Sequence, residues 1–476
     1  MTKSDIKFRY FALTLTLGVA AYVVYRAVHL TLVHDESITY DIVKQHTGSV
    51  WAKTANNHWL NTALMGFCSR NLGHAEWLLR LPNTLAFGLY APFGCLIFEK
   101  LDAKILKYAG FTILLINPFL LDFFSLARGY GLAIGLMVAS IYFLIKLFED
   151  SKNVFFQAAF GILSALTILS NFTMLIFYAA AMLIWAAVCF KNQGIRFLLR
   201  PVILLVIFAH AYVLKEILNF IFYLKKVGGL YAGGTSFTKD VIGSNLTTFF
   251  YNANSPFLNS LQFVIFGVIF LFGFLLFYFI FNLSKSVKIK EEQILFPLLC
   301  LCVVIPIVQF YAIGILFPTE RGAVFYYPLW IFALFSVLDL SKKAYFQNLF
   351  ALPLSIFTLF NFSKTANLNH TFTWAYEVHT RDFLDELKTL HANKMLPEPV
   401  RLGVHWKYQP SLEYYYRSQL GFEWIAPVER ETLGKKAFDV YYIEENELPL
   451  VRQLDPETVI LKQFSENKSL ILIKKK

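Results

Sequence analysis

Charge is what this chain has least of. Asp, Glu, Lys and Arg together make up 16% of its 476 residues, while apolar residues make up 57%; soluble globular domains carry roughly 25% charged residues. The deficit falls in long uncharged runs separated by short clusters of Lys and Arg, which excludes an ordinary soluble protein. The long alternation of apolar and polar residues that builds a membrane β-barrel is missing as well. Helices are therefore the only way left to carry this much apolar chain through a bilayer. Cysteine is scarce: of five, Cys95, Cys189, Cys300 and Cys302 lie in apolar runs and Cys68 in a polar stretch, and none follows Phe362. That excludes a disulfide framework, and the absence of any CxxC pair excludes the common cysteine metal sites. There is no internal repeat relating two halves, and no glycine-rich phosphate loop at a strand–helix junction.

What is present is a repeated unit of about 20 apolar residues, the length that spans a bilayer as a helix. Eleven such spans are expected: Phe11–Val33, Leu81–Phe98, Ile105–Leu121, Tyr130–Phe148, Val154–Leu169, Thr173–Phe190, Pro201–Phe222, Leu261–Leu283, Ile294–Phe317, Val324–Leu340 and Phe346–Phe362. The first is expected to remain uncleaved, since it is long and lacks a small-x-small cleavage site. Its Arg26 is expected to snorkel to the interface. The net charge of +11 does not call for nucleic acid. Alternate loops hold Lys3, Lys7 and Arg9, then Lys100, Lys104 and Lys107, Lys146 and Lys152, Lys191, Arg196 and Arg200, Lys285, Lys288 and Lys290, and Lys342 and Lys343. Positive charge gathers on the cytoplasmic side of spans, so a cytoplasmic N-terminus and an extracytoplasmic C-terminus in the plasma (inner) membrane are expected.

The chain thus divides into a transmembrane region, 1–362, and a tail, 363–476. The tail differs in kind. TRDFLDELKTLHANK has helical periodicity, as does PSLEYYYRSQLG, while VRLGVHW, FDVYYIEE, TVILKQF and SLILIKKK alternate like strands. A small soluble α/β domain of roughly 100 residues is expected there. Two outward stretches are long: 34–80, and 223–260 with its GGLYAGGTS segment, which suits a mobile loop.

The residues able to do chemistry lie on the outward side. HDESITYD follows the first span; Asp35 and Glu36 could be a solvated helix exit or cap, or a carboxylate base that takes a proton from an attacking hydroxyl. NNHWLN places Asn57 and His58 beside Trp59 in the same stretch, where an interfacial or re-entrant helix would carry polar groups to headgroup depth. Arg80 in LLRLPN, Arg128 in SLARGYGL and Arg321 in PTERGAVFYYP stand at outward span ends, against the charge bias. Snorkelling or pairing with Asp122 or Glu320 would account for them; so would phosphate binding, because the guanidinium fork matches phosphate oxygens. Arg80 reads as structural.

The order of these motifs (DE, NNHWLN, LLRLPN, ARGY) resembles the GT-C superfamily of membrane glycosyltransferases, in the branch of protein O-mannosyltransferases, aminoarabinose transferases and their bacterial relatives. The likeness is carried by residues 35–145 and by the Arg321–Tyr327 region. It implies a polytopic helical membrane fold and an inverting transfer of sugar from a polyprenyl-phosphate donor to a hydroxyl acceptor of the cell envelope, without metal or cofactor. It implies Asp35 as base with Glu36 beside it, and His58, Arg128 and Arg321 as donor-phosphate ligands; Asn57, Tyr40 and Tyr130 are the candidates for substrate contact. Two departures stand out: Trp59 and Leu60 replace the prolines that follow the basic residue, and Ile38 stands where aminoarabinose transferases have arginine. The competing readings are a transporter or flippase of lipid-linked glycans, whose arginines would form an anion path, and a non-catalytic membrane subunit with the same fold.

Overall fold

The structure, a computed structural model, describes residues 3–45, 53–229, 233–251, 261–284, 290–430 and 433–474. Part of the GGLYAGGTS segment (230–232), much of the remainder of that outward stretch (252–260), and Lys285 and Lys288 lie outside the described residues. Among those described, eight helices are long and apolar enough to cross a membrane. The protein is a multi-pass membrane protein.

All eleven expected spans coincide with helix, but not all with a single long one. The stretch expected as Ile105–Leu121 is two helices, α5 (Lys104–Leu115) and α6 (Pro118–Phe124), bent by 60°. Pro118 has no N–H to continue the first helix, and the Asn117 side chain caps the second by accepting from Leu120 N at 2.9 Å. Counted as one span, the pair brings the eight to nine. The helix Val154–Ser170 is apolar but shorter, and Ala344–Thr365 is a 22-residue helix outside the eight. The first outward stretch is more ordered than a loop. After α1 (Lys3–His29) come α2 (His34–Gln45), α3 (Trp59–Asn71) and the first turn of α4 (Glu76–Glu99).

By contact the chain falls into two compact units. The first holds Met1–Val24, Trp51–Asn61 and Pro82–Ala366. At its centre α7 (Tyr130–Glu149) packs on α8 (Val154–Ser170) and on α9 (Leu175–Gln193). The Ser140 and Ser164 hydroxyls pair at 2.7 Å across α7 and α8. Small polar residues let helices meet where lipid offers no other hydrogen-bond partner. By contrast α10 (Pro201–Lys226), α11 (Ser244–Phe250) and α12 (Leu261–Ser284) follow in order, and α12 leaves Phe263, Phe266 and Phe270 exposed, as a lipid-facing helix should.

The second unit holds Tyr25–Val50, Thr62–Leu81 and Asn367–Lys476. Its sheet has four strands, β1 (Leu402–Val404), β2 (Val440–Glu444), β3 (Thr458–Phe464) and β4 (Ser469–Lys474), in the order β1-β2-β4-β3. The β1–β2 pair is parallel and the other two are antiparallel. Phe438, Tyr441, Ile443, Val451, Leu470 and Leu472 form a core on it. A helix at Thr380–Ala392 buries Phe383, Leu384, Leu387 and Leu390, an apolar stripe at helical spacing, and Phe383 stacks on Tyr442 with ring centroids 4.5 Å apart. The tail therefore has the helices and strands its sequence pattern implies, but it shares its unit with α2 and with most of α3.

Candidate functional site

In the first unit the ARGY segment makes a tight turn into α7. Gly129 caps the helix in a left-handed conformation, φ +72°. A Cβ there would lie 2.5 Å from Ser170 O, 3.0 Å from the His58 Cβ and 3.2 Å from the Asn61 Cβ, so only glycine lets these three segments meet. A chain of amides fixes the turn. Asn61 Nδ2 donates to Ala127 O at 2.9 Å, Asn83 Nδ2 to Asn61 Oδ1 at 2.6 Å, and Leu132 N to Asn83 Oδ1 at 3.0 Å. The turn holds Arg128, which is 1% exposed, against the NNHWLN segment. Its Nη2 donates to Asn56 Oδ1 at 2.6 Å and approaches His58 Nε2 at 3.4 Å.

His58 is buried and precedes α3, outside the candidate spans. Burial first, then the Arg128 and Arg321 guanidiniums, hold its imidazole well below the ordinary histidine range. It is therefore neutral at pH 7. An arginine can only donate, so Nε2 is the accepting nitrogen and Nδ1 carries the proton. That Nδ1–H has no hydrogen-bond partner among the described residues. The Tyr130 ring stands edge-on to the imidazole, centroids 5.2 Å apart, and Asn57 beside it is fully buried. Arg321 is half-buried in a 3₁₀ turn, Glu320–Ala323. Glu320 takes φ +44°, a left-handed conformation costing a non-glycine residue roughly 1–2 kcal/mol, and its N–H donates to Ser244 Oγ at 2.9 Å. Thus His58, Arg128 and Arg321, far apart in sequence, share one electrostatic environment, with Tyr130 and Asn57 next to it.

The second unit contains the acidic pair. Asp35 and Glu36 open α2, both buried. Glu36 is locked. Its Oε1 accepts from Arg80 Nε at 2.9 Å, and its Oε2 from Arg80 Nη2 at 2.7 Å and from Val33 N at 3.0 Å. Arg80 spends its remaining N–H groups on Ala27 O, Leu30 O and Thr31 O at 2.8–3.0 Å. All five guanidinium donors are thereby used, which fits Arg80's structural reading. Tyr40 lies in the same unit with its hydroxyl 3.0 Å from His74 Nδ1 and its ring edge-on to Tyr414. Arg26 does not snorkel. It is fully buried and its Nη2 donates to His370 O at 2.6 Å, because a carbonyl of the tail lies closer to hand than water.

No protein-family model matches the chain, and no curated protein sequence matches it. Solved structures do. The crystal structure of ArnT from Cupriavidus metallidurans in the apo state superposes with a TM-score of 0.53 at 11% identity, over 97% of this chain and 98% of that one. ArnT from the same organism bound to undecaprenyl phosphate gives 0.54 at 11% identity, over 99% and 98%. The fold is that of ArnT. The likeness to ArnT runs along nearly the whole chain.

Within this ArnT fold the sequence reading gave no site role to Asn56, which holds Arg128 and was legible only as the first amide of NNHWLN. The described residues contain no group of three or more His, Cys, Asp or Glu placed to hold a metal ion.

Proposed function

We propose that this protein is an inverting glycosyltransferase of the membrane, which moves a sugar from a polyprenyl-phosphate donor to a hydroxyl acceptor of the cell envelope on the outer face. The observation that carries the reading is the first-unit cluster: two guanidiniums acting on a neutral imidazole whose N–H has no acceptor among the described residues, in the fold of ArnT, whose crystal structure was obtained with undecaprenyl phosphate. Such donors suit a phosphate that gains charge as it leaves. In the proposed reaction Asp35 takes the proton of the acceptor hydroxyl. The freed oxygen attacks the anomeric carbon from the face opposite the phosphate, the carbon–phosphate oxygen bond breaks, and the polyprenyl phosphate departs with its added negative charge against Arg128, Arg321 and the His58 N–H. Glu36 positions the turn that bears Asp35. Asn57, Tyr40 and Tyr130 remain the proposed contacts to the sugar or acceptor.

The lysine and arginine alternation supports a plasma-membrane protein with its N-terminus inside and residues 363–476 outside. Impermeant labelling of single cysteines at Ser4 and Ser465 in intact cells tests this, and reaction of Ser4→Cys overturns it. The function is tested by giving the purified protein each donor type in turn. Transfer from polyprenyl-phosphate sugars and none from nucleotide sugars is expected; the reverse result overturns the reading.

A further inference from the structure

The turn between α8 and α9 carries another buried N–H donor, an amide, with no hydrogen-bond partner among the described residues. Asn171 is 1% exposed. Its Oδ1 accepts from Thr173 N at 2.9 Å and from Thr173 Oγ1 at 2.8 Å, which fixes the orientation of the side-chain amide, since an Nδ2 in that place could not accept. Nδ2 is left with no hydrogen-bond partner among the described residues. Buried donors are nearly always satisfied, so an exception calls for a ligand or a water.

The surroundings of this group point to a ligand. Ser170 O, one residue before Asn171, is 2.5 Å from the place a Gly129 Cβ would take, and the His58 Cβ is 3.0 Å from the same place. Thr173, whose N–H and hydroxyl hold Asn171, comes within 3.6 Å of the corresponding place at Gly322, the residue after Arg321. Phe172 packs on Trp59, the residue after His58, with ring centroids 4.9 Å apart. The Asn171 turn is therefore in contact with the segments that carry Arg128, His58 and Arg321, all within the first unit. Among the donors gathered there, the His58 Nδ1–H and the Asn171 Nδ2–H have no hydrogen-bond partner among the described residues.

We propose that Asn171 is a further ligand of the phosphate: its Nδ2–H and the His58 Nδ1–H are two N–H donors that receive oxygens of a lipid phosphate held by Arg128 and Arg321. The inference rests on the proposed polyprenyl-phosphate donor and adds a residue to its site. Two neutral donors extend the reach of the site to more phosphate oxygens than the two arginines cover, without adding charge that would have to be screened when the site is empty.

The test is binding of undecaprenyl phosphate, with inorganic phosphate as the tailless arm, to the full-length protein in detergent. Asn171→Asp keeps the side-chain oxygen that caps the turn, since Asp and Asn cap equally well, and replaces the donor with a carboxylate. It is expected to fold with the wild-type thermal midpoint and to bind undecaprenyl phosphate at least ~100-fold more weakly, because the new anion competes for the arginines. Asn171→Ser keeps a capping oxygen and loses only the amide donor; about fivefold weaker binding is expected, the worth of one neutral hydrogen bond. A parallel loss in the inorganic phosphate arm supports contact with the oxyanion itself. Equal lipid binding by wild type and Asn171→Asp, with weaker binding by Arg321→Ala, removes Asn171 from the site and leaves the proposed function standing. If the wild type binds neither undecaprenyl phosphate nor inorganic phosphate, both readings fall.

Discussion

Two buried polar clusters in this protein are built on arginine, and they are finished to different degrees. In the second unit Arg80 places all five of its N–H groups, two on the Glu36 carboxylate and three on backbone carbonyls. In the first unit Arg128 and Arg321 flank a neutral histidine whose Nδ1–H has no acceptor among the described residues, and the neighbouring turn presents an Asn171 amide in the same condition. A cluster that closes on itself fixes geometry and has nothing left to bind with. A cluster that keeps donors in reserve is less stable than it could be, and a ligand oxygen is what completes it. Residue type alone does not separate these roles; the count of satisfied donors does.

The sharpest way to break the comparison starts at Asp35, the neighbour of the locked Glu36 in the first turn of α2. Asp35→Asn is expected to leave folding intact and to lower turnover by roughly 10²–10⁴-fold, the usual contribution of a general base. Steady-state transfer with the lipid-linked donor reads this directly, and near-normal turnover would reduce Asp35 to a helix-opening acid. Next in size is Arg80→Ala, which strands a buried carboxylate and three carbonyls. Losing one partner of a buried pair costs about 3–5 kcal/mol, so the thermal midpoint in detergent should fall steeply. A midpoint like that of the wild type would show that the closed cluster holds nothing together.

Arg321→Ala should behave in the opposite sense. Arg321 is half-buried within a short 3₁₀ turn, so stability should hold, while binding of polyprenyl phosphate weakens by about 10–100-fold, the worth of one charge-assisted hydrogen bond at roughly 1.5–3 kcal/mol. Affinity for the acceptor should change less. A pH profile sharpens the picture of the second unit. Burial raises the Glu377 carboxyl to about 8, above its ordinary 4.5, against hydrogen bonds from Thr380 and Ser411 that favour its charged form. It holds its proton in the fold and releases it on unfolding, so its contribution to stability is complete below pH 4.5 and declines as pH rises towards 8. The slope is at most about 1.4 kcal/mol per pH unit. Unfolding midpoints of the wild type should therefore fall between pH 5 and pH 8 more than those of Glu377→Gln. Parallel profiles would mean that Glu377 is charged throughout.

Much of the architecture was legible before any coordinates. Long apolar runs have one physical solution in a bilayer, so every expected span falls on helix. The tail's periodicities likewise fall on the helix Thr380–Ala392 and on the four strands. The break at Asn117–Pro118 could have been read from the proline and was not, because the apolar run continues across it. For the site, Arg128 and Arg321 were marked by standing against the charge bias, and His58 by its place beside an interfacial tryptophan. Asn56 and Asn171 carried no such mark, since an amide between apolar runs is as often a cap as a ligand.

The sequence by itself determined that this chain is a bundle of membrane helices with a small α/β tail, because hydrophobic periodicity is a local property and the bilayer and the sheet each impose their own period. It determined too which side-chain types were on hand for chemistry. Only the tertiary structure decided that the tail shares a compact unit with α2, that Glu36 is consumed by Arg80 while the His58 and Asn171 N–H groups have no acceptor among the described residues, and that Arg26 faces a backbone carbonyl rather than the interface. Hydrogen-bond satisfaction depends on which segments meet in space. Segments such as those around residues 58, 128, 171 and 321 meet through close packing at Gly129 and Gly322, contacts that no local pattern along the chain encodes.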